Sequence, residues 1–305
     1  MKSSLMQKHG VVAVNLAREL ISKEEGDRLE TVAVYAEKFG SARGTVQSAL
    51  SLLKENNAIK VQSKGHLGSY LTYIDYKKLW EYTDFGNCLG VMPLPYSKLY
   101  EGLATGLYQI AEESVIPFNL AYMRGSKMRV FGVLDERYDF AIMSKYSAKE
   151  CIAEGMNIEC IADFGGHSYV NKHALILSSG RKGLEDGMKI AIDKTSMDIS
   201  SLTKKVCAEY KVEYVEMPYN QIIKNILSGN IEGAVWSIDE ILDKNIDLMY
   251  LDINSYIEEE DDTAAVIVVK SDNEGMKNFI KKVIDVKSVL KIQQEVVQGV
   301  KIPRY

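Results

Sequence analysis

Between Asn87 and Lys270 the sequence alternates short apolar runs with stretches of helical periodicity. The runs are CLGVMPL, IPFNLAYM, DFAIMS, NIECIADF, HALILS, KIAID, VEYVEMP, EGAVWS, DLMYLDI and AAVIVVK. Segments this short and this apolar read as strands covered on both faces, and helical stretches between them predict α/β layers with mostly parallel strands. Ten strands are too many for one small sheet, so the expected architecture divides them between two lobes. The division is placed with about 87–178 and 262–305 in the first lobe and about 179–261 in the second.

A chain of 305 residues also exceeds what one hydrophobic core usually serves. At 46% hydrophobic and 26% charged residues, it has the composition of a chain that folds throughout. Charge is unevenly placed: residues 1–74 hold 10 Lys and Arg against 7 Asp and Glu, a net +3, and the remainder holds 27 against 35, a net −8. A mildly basic head on an acidic body suits a protein whose small end approaches phosphates.

The head, 1–75, reads as a winged helix-turn-helix. Val11, Val12, Leu16, Leu20 and Ile21 mark a first helix, and a second starts at Thr31, a good N-cap, and stops at Gly40, where a residue free to take positive φ turns the chain. After Ser41, Val46, Ala49, Leu50 and Leu53 define one face of a third helix, while Arg43, Thr45 and Gln47 lie on another. A helix entered through a tight glycine turn, small and polar in its first turn, suits the major groove of double-stranded DNA. Arg43 suits a guanine edge or phosphate, Gln47 an adenine edge, and Thr45 a phosphate or thymine methyl. Residues 58–61 and 69–74 read as strands around a polar loop, a wing that carries Lys60, Lys64 and His66 toward flanking phosphates. The expected DNA-contacting set is thus Thr31, Ser41, Arg43, Thr45, Gln47, Lys60, Lys64 and His66. The stretch 76–86 is read as a linker, but Tyr76, Leu79, Trp80 and Tyr82 make it too apolar for a loose tether.

TVAVYAEKFGSARGTVQSALSLLKENNAIKVQSKGHLGSYL resembles the winged-helix head of GntR-type regulators, except that the wing SKGHLGS is less basic than is usual there. In the body, RGSKMRVFGVLDERYDFAIMS resembles the first lobe of type 2 periplasmic-binding-protein-like domains. KIAIDKTSMDISSLTKKVCAEY and VEYVEMPYNQIIKNILSGNIEGAVWSIDE resemble the second. The order of these parts is most similar to the YhfZ-type family of GntR-like regulators. That resemblance implies a ligand-responsive, DNA-binding transcription regulator, and hydroxyl-bearing turns and helix starts in the body point to a small polar, anionic metabolite between its lobes as the effector.

In two-lobed α/β folds, ligands meet the strand-to-helix turns that face the cleft. Five turns qualify: Tyr96-Ser97 behind a stiff Pro-Leu-Pro; Ser144-Lys145; Gly166-His167-Ser168; Thr195-Ser196 at a helix start suited to anions; and Trp236-Ser237. Asp239 nearby is a candidate for an amine.

No GxSxG, HExxH, GxxxxGK[ST] or GxGxxG occurs, so no catalytic residue and no cofactor are expected. Cys88, Cys151, Cys160 and Cys207 form no CxxC pair and share no metal-ligand spacing with the histidines, which predicts buried reduced thiols and no metal. The alternatives are an enzyme, for which Cys160, His167 and His173 lie close in sequence, or a non-DNA-binding interaction protein on the same fold. Without a long apolar run or a signal-peptide pattern, the chain is expected in the cytoplasm, off the membrane, and as a homodimer, because one weakly basic head binds DNA weakly.

Overall fold

The computed structural model describes residues 8–84, 86–114, 117–256 and 260–305. The chain folds into two compact units. One holds the segment up to Cys88 with Ala111–Phe118 and Asn273–Val283, and the other holds Leu89–Ile110, Asn119–Asp272 and Ile284–Tyr305.

The first unit opens with α1 (Lys8–Leu20), α2 (Val32–Lys38) and α3 (Arg43–Glu55), followed by a hairpin of β1 (Ile59–Ser63) and β2 (Ser69–Ile74). Thr31 caps α2, its Oγ1 accepting the Val34 N–H at 3.3 Å. The helix ends as the sequence predicts: Gly40 takes φ +57°, its N–H donates to Glu37 O, and the Ser41 N–H reaches back to Ala36 O. These two bonds satisfy the last carbonyls of α2 and redirect the chain into α3. The same pair of bonds closes α3, with Asn57 at φ +53° in the glycine's place and Ala58 N–H donating to Leu53 O. Val46, Ala49, Leu50 and Leu53 turn inward against α1, where Leu16, Ala17 and Leu20 are buried. Residues 27–29 run beside β2 and join it by an isolated bridge between Arg28 and Tyr70: Leu29 N–H donates to Ser69 O and Leu71 N–H to Asp27 O.

The predicted linker holds a helix, α4 (Tyr76–Tyr82), capped by Asp75. Its packing is on its own unit, against α1 and, through Trp80, whose ring lies 4.3 Å from that of Phe279 at a tilt of 44°, against α11 (Glu274–Val283).

The second unit contains two sheets. β4 (Phe118–Tyr122), β3 (Cys88–Met92), β5 (Phe140–Ser144), β12 (Ala265–Lys270) and β6 (Ile158–Asp163) form one, in that order. β11 (Met249–Asp252), β7 (His173–Leu177), β10 (Gly233–Ser237), β8 (Lys189–Ile192) and β9 (Glu213–Glu216) form the other. All ten predicted runs are strands. Their directions differ from the expectation, because both sheets are mixed: β12 is antiparallel to β5 and β6, and β7 to β10 and β11. Each reversed strand receives the chain as it crosses between lobes, so it starts at the cleft end, where its neighbours finish. The first crossing ends before β7, so His173–Leu177 belongs to the second sheet and not, as the sequence division had it, to the first lobe. Helices α5 (Lys98–Glu113), α6 (Ser126–Leu134), α7 (Lys145–Ala153), α8 (Met197–Val206), α9 (Tyr219–Leu227), α10 (Ile238–Asp243) and α12 (Val286–Val297) complete the chain. Among the described residues no helix is long and apolar enough to cross a membrane.

Candidate functional site

In the head, the outward side of α3 presents Arg43 and Gln47, both exposed, with Thr45 half-buried beside them. Ser41 lies in the turn, its backbone N–H used by Ala36 O, and Thr31 has its hydroxyl committed to the α2 cap. Lys60 and Lys64 rest over the rings of Tyr73 and Tyr70 at 5.2 and 4.5 Å, so the wing cations lie on aromatic faces, while His66 is exposed in the short 3-10 segment Gly65–Leu67.

In the body, the strand ends of both sheets face a small cavity of about 60 Å³. The lobes meet around it through their own side chains. Ser144 Oγ donates to Asp198 Oδ2 at 2.8 Å, and the hydroxyls of Tyr146 and Ser201 lie 2.8 Å apart. Of the expected cleft residues, Tyr96, Ser196 and Ser237 line this cavity.

The others serve the fold. Ser97 is buried, and its Oγ accepts the Tyr100 N–H at the start of α5. Ser144 also caps α7, accepting the Ser147 N–H. Lys145 pairs with Asp163 at 2.9 Å and Asp261 at 3.6 Å, and the Asp163 bond raises its pKa. Gly166 and His167 are exposed, and Ser168 ties the two interlobe crossings together, donating to Gly165 O and accepting the Ala265 N–H. Thr195 folds back on Asp193, donating from both N–H and Oγ1 to Oδ1. Trp236 is core, stacked face to face on Tyr219 at 3.4 Å with its indole N–H donated to Glu240. Asp239 accepts the Asn171 N–H and Nδ2, both at 2.8 Å, so an amine finds its oxygens engaged.

The cavity takes most of its chemistry from residues the sequence reading did not select. Arg129 is buried, and its guanidinium donates to the carbonyls of Ile142 and Met123 and to the Tyr169 hydroxyl. Arg124, immediately before the α6 N-terminus, makes one long bond, 3.4 Å to Asn220 Oδ1, and no ion pair among the described residues. Beside it the Tyr96 hydroxyl is buried without a hydrogen-bond partner. Burial raises the pKa of Tyr96, Tyr100, Tyr169 and Tyr219, for Tyr96 against the opposing pull of Arg124, so all four phenols remain protonated donors at neutral pH. Asp198 is held by the hydroxyls of Ser144 and Ser196 and by Ile199 N–H, and Asp193 by Thr195 and Tyr219 N–H. His173 completes the wall, with Nδ1 2.6 Å from Asp262. The signal for Arg124 was present in RGSKMR, where an arginine precedes the glycine that opens a helix.

Cys160 is exposed on the edge strand β6, against the expectation of four buried thiols, whereas Cys88, Cys151 and Cys207 are buried. Desolvation, with Asp163 adding to it, raises the Cys160 pKa, the reverse of what a thiolate nucleophile needs. His173 is bound to Asp262, and His167 Nδ1 lies 2.8 Å from Asn171 O. Among the described residues no group of three His, Cys, Asp or Glu could hold a metal ion.

Comparison with known proteins agrees with this arrangement. Residues 24–71 match the helix-turn-helix domain family, and residues 75–305 match the YhfZ C-terminal domain. YhfZ of Escherichia coli (strain K12) is 33% identical over 311 residues, covering 100% of both chains. The crystal structure of YhfZ from Shigella flexneri superposes with a TM-score of 0.61 at 30% identity, over 75% of this chain and 97% of that one. The periplasmic aliphatic sulphonate binding protein SsuA from Escherichia coli shares the fold, with a TM-score of 0.53 at 10% identity over 70% of this chain and 74% of that one. A helix-turn-helix domain is thus joined to a two-sheet, binding-protein-like body, and the chain belongs to the YhfZ family.

Proposed function

We propose that this protein is a ligand-responsive transcription regulator that binds double-stranded DNA through α3 and the wing, and a small polar, anionic metabolite between its lobes. The observation that carries the ligand reading is the pair Arg124 and Tyr96: a cation without an ion pair among the described residues beside a buried hydroxyl without a partner, in a cavity whose two carboxylates, Asp193 and Asp198, are already held by the protein's own donors. An anionic group set there satisfies both at once, which is the arrangement charge-assisted recognition favours. Ser126, at the start of α6, adds a hydroxyl and a helix N-terminus to the same wall.

Effector binding shifts the balance between open and closed lobes, and through it the spacing of two heads in a homodimer on paired half-sites. The protein acts in the cytoplasm, where its DNA is. Thermal-shift measurements on the full chain against carboxylated and phosphorylated metabolites test the reading. A stabilising compound whose effect is lost in Arg124→Ala supports it, and no stabilisation by any anion refutes it. Light scattering with a duplex should give two chains per DNA.

A further inference from the structure

We infer that Arg28, outside the helix-turn-helix proper, is a DNA-phosphate contact held in place by the wing. The inference rests on the DNA-binding reading of the head. Arg28 lies beside β2, joined to it by an isolated antiparallel bridge with Tyr70; the next residue, Leu29, is buried in the core, whereas Arg28 is exposed. Its guanidinium makes no ion pair and no hydrogen bond among the described residues. It is nevertheless seated: a Cβ built on Gly68 would stand 2.8 Å from Arg28 Nε and 3.3 Å from Nη2.

Gly68 has φ +96°, a conformation that already favours glycine, and the absence of its side chain is what lets the guanidinium plane lie on the wing. An arginine held this way has lost much of the rotamer freedom that a solvated one keeps, so less entropy opposes a contact.

Its position relative to α3 supplies the second argument. Arg28 and Gly68 form one wall of a surface groove of about 580 Å³ whose other wall is Gln47, Ser51 and Lys54 of α3, spaced so that they share a face with Arg43. Lys54 is exposed and likewise without an ion pair, and the acidic side chain lining the groove is Glu30. If α3 enters the major groove, the strand bordering it passes between these walls. The chemistry there is a phosphodiester, which an arginine fork matches and which needs no particular base. A head with a net charge of only +3 depends heavily on each such cation.

Because a phosphate contact does not depend on sequence, a labelled random duplex of about 30 base pairs serves as the probe. Fluorescence anisotropy across about 50–200 mM salt should show Arg28→Ala weakening binding several-fold and lowering the slope of log K against log salt by about 0.9 per head. Arg28→Lys should keep the slope, while Lys204→Ala, removing an exposed charge of α8, should change neither. An unaltered slope in Arg28→Ala overturns the inference while wild-type binding upholds the regulator reading. A wild-type chain that binds no duplex overturns both.

Discussion

The outer face of α3 and the interlobe cleft are both rich in polar side chains, but they engage them differently. On α3, Arg43 and Gln47 point to solvent with no internal duty. In the cleft, Ser144, Ser196, Thr195, Asp193 and Asp198 are bonded to one another, and Arg124 and Tyr96 are the exceptions. A recognition surface for DNA, the role proposed for α3, is completed by its partner. A ligand cavity has first to be held together by the protein, because a buried polar group without a bond costs about 1–3 kcal/mol.

Substitutions can break this contrast. Trp236→Ala should have the largest effect, about 3–5 kcal/mol of stability lost in denaturant unfolding, because it empties a core site and unstacks Tyr219. A loss below about 1 kcal/mol would return Trp236 to the set of ligand contacts. Asp198→Ala should follow, costing about 1–3 kcal/mol as the Ser144 and Ser196 hydroxyls and the Ile199 N–H lose their acceptor. Both should leave the phosphate contacts of each folded head, and so the salt slope on a random duplex, unchanged.

Arg43→Ala and Gln47→Ala should do the converse: about 1–3 kcal/mol lost in binding a selected operator, and no more than about 0.5 kcal/mol in stability. Equal losses in both measurements would mean that the face is part of the fold.

The same contrast explains what the sequence disclosed. Strands such as FAIMS and GAVWS are buried along their whole length, so hydrophobicity alone marks them. Gly40 marks the helix-turn-helix because one backbone position needs positive φ. These are local demands, legible in local patterns. The cleft was less legible because its wall is gathered from separate turns, among them the α6 start at Arg124, the Asp193 turn and the second crossing that brings Asp262 to His173. Ser144 and Ser237 end their strands, but a sequence does not disclose whether Ser144 faces a ligand or an aspartate of the other lobe. Strand direction was hidden for a similar reason: β7 and β12 look like their neighbours, and the two crossings alone reverse them.

Thr31 belongs to both sides of the comparison and gives its finest test. It is exposed at the head's groove and belongs to the expected DNA-contacting set, yet its Oγ1 accepts the Val34 N–H and starts α2. A hydroxyl that accepts one hydrogen bond can still donate, so capping and contact are compatible. Thr31→Ala should cost about 1 kcal/mol of stability through the lost cap, and Thr31→Ser should restore it. If the hydroxyl also donates to phosphate, Thr31→Ala should weaken random-duplex binding at temperatures where the head is fully folded, and Thr31→Ser should recover that too. Should Thr31→Ala lose stability with duplex affinity unchanged, its hydroxyl acts as the cleft hydroxyls do, in the service of the fold, although it stands on the surface proposed to meet DNA.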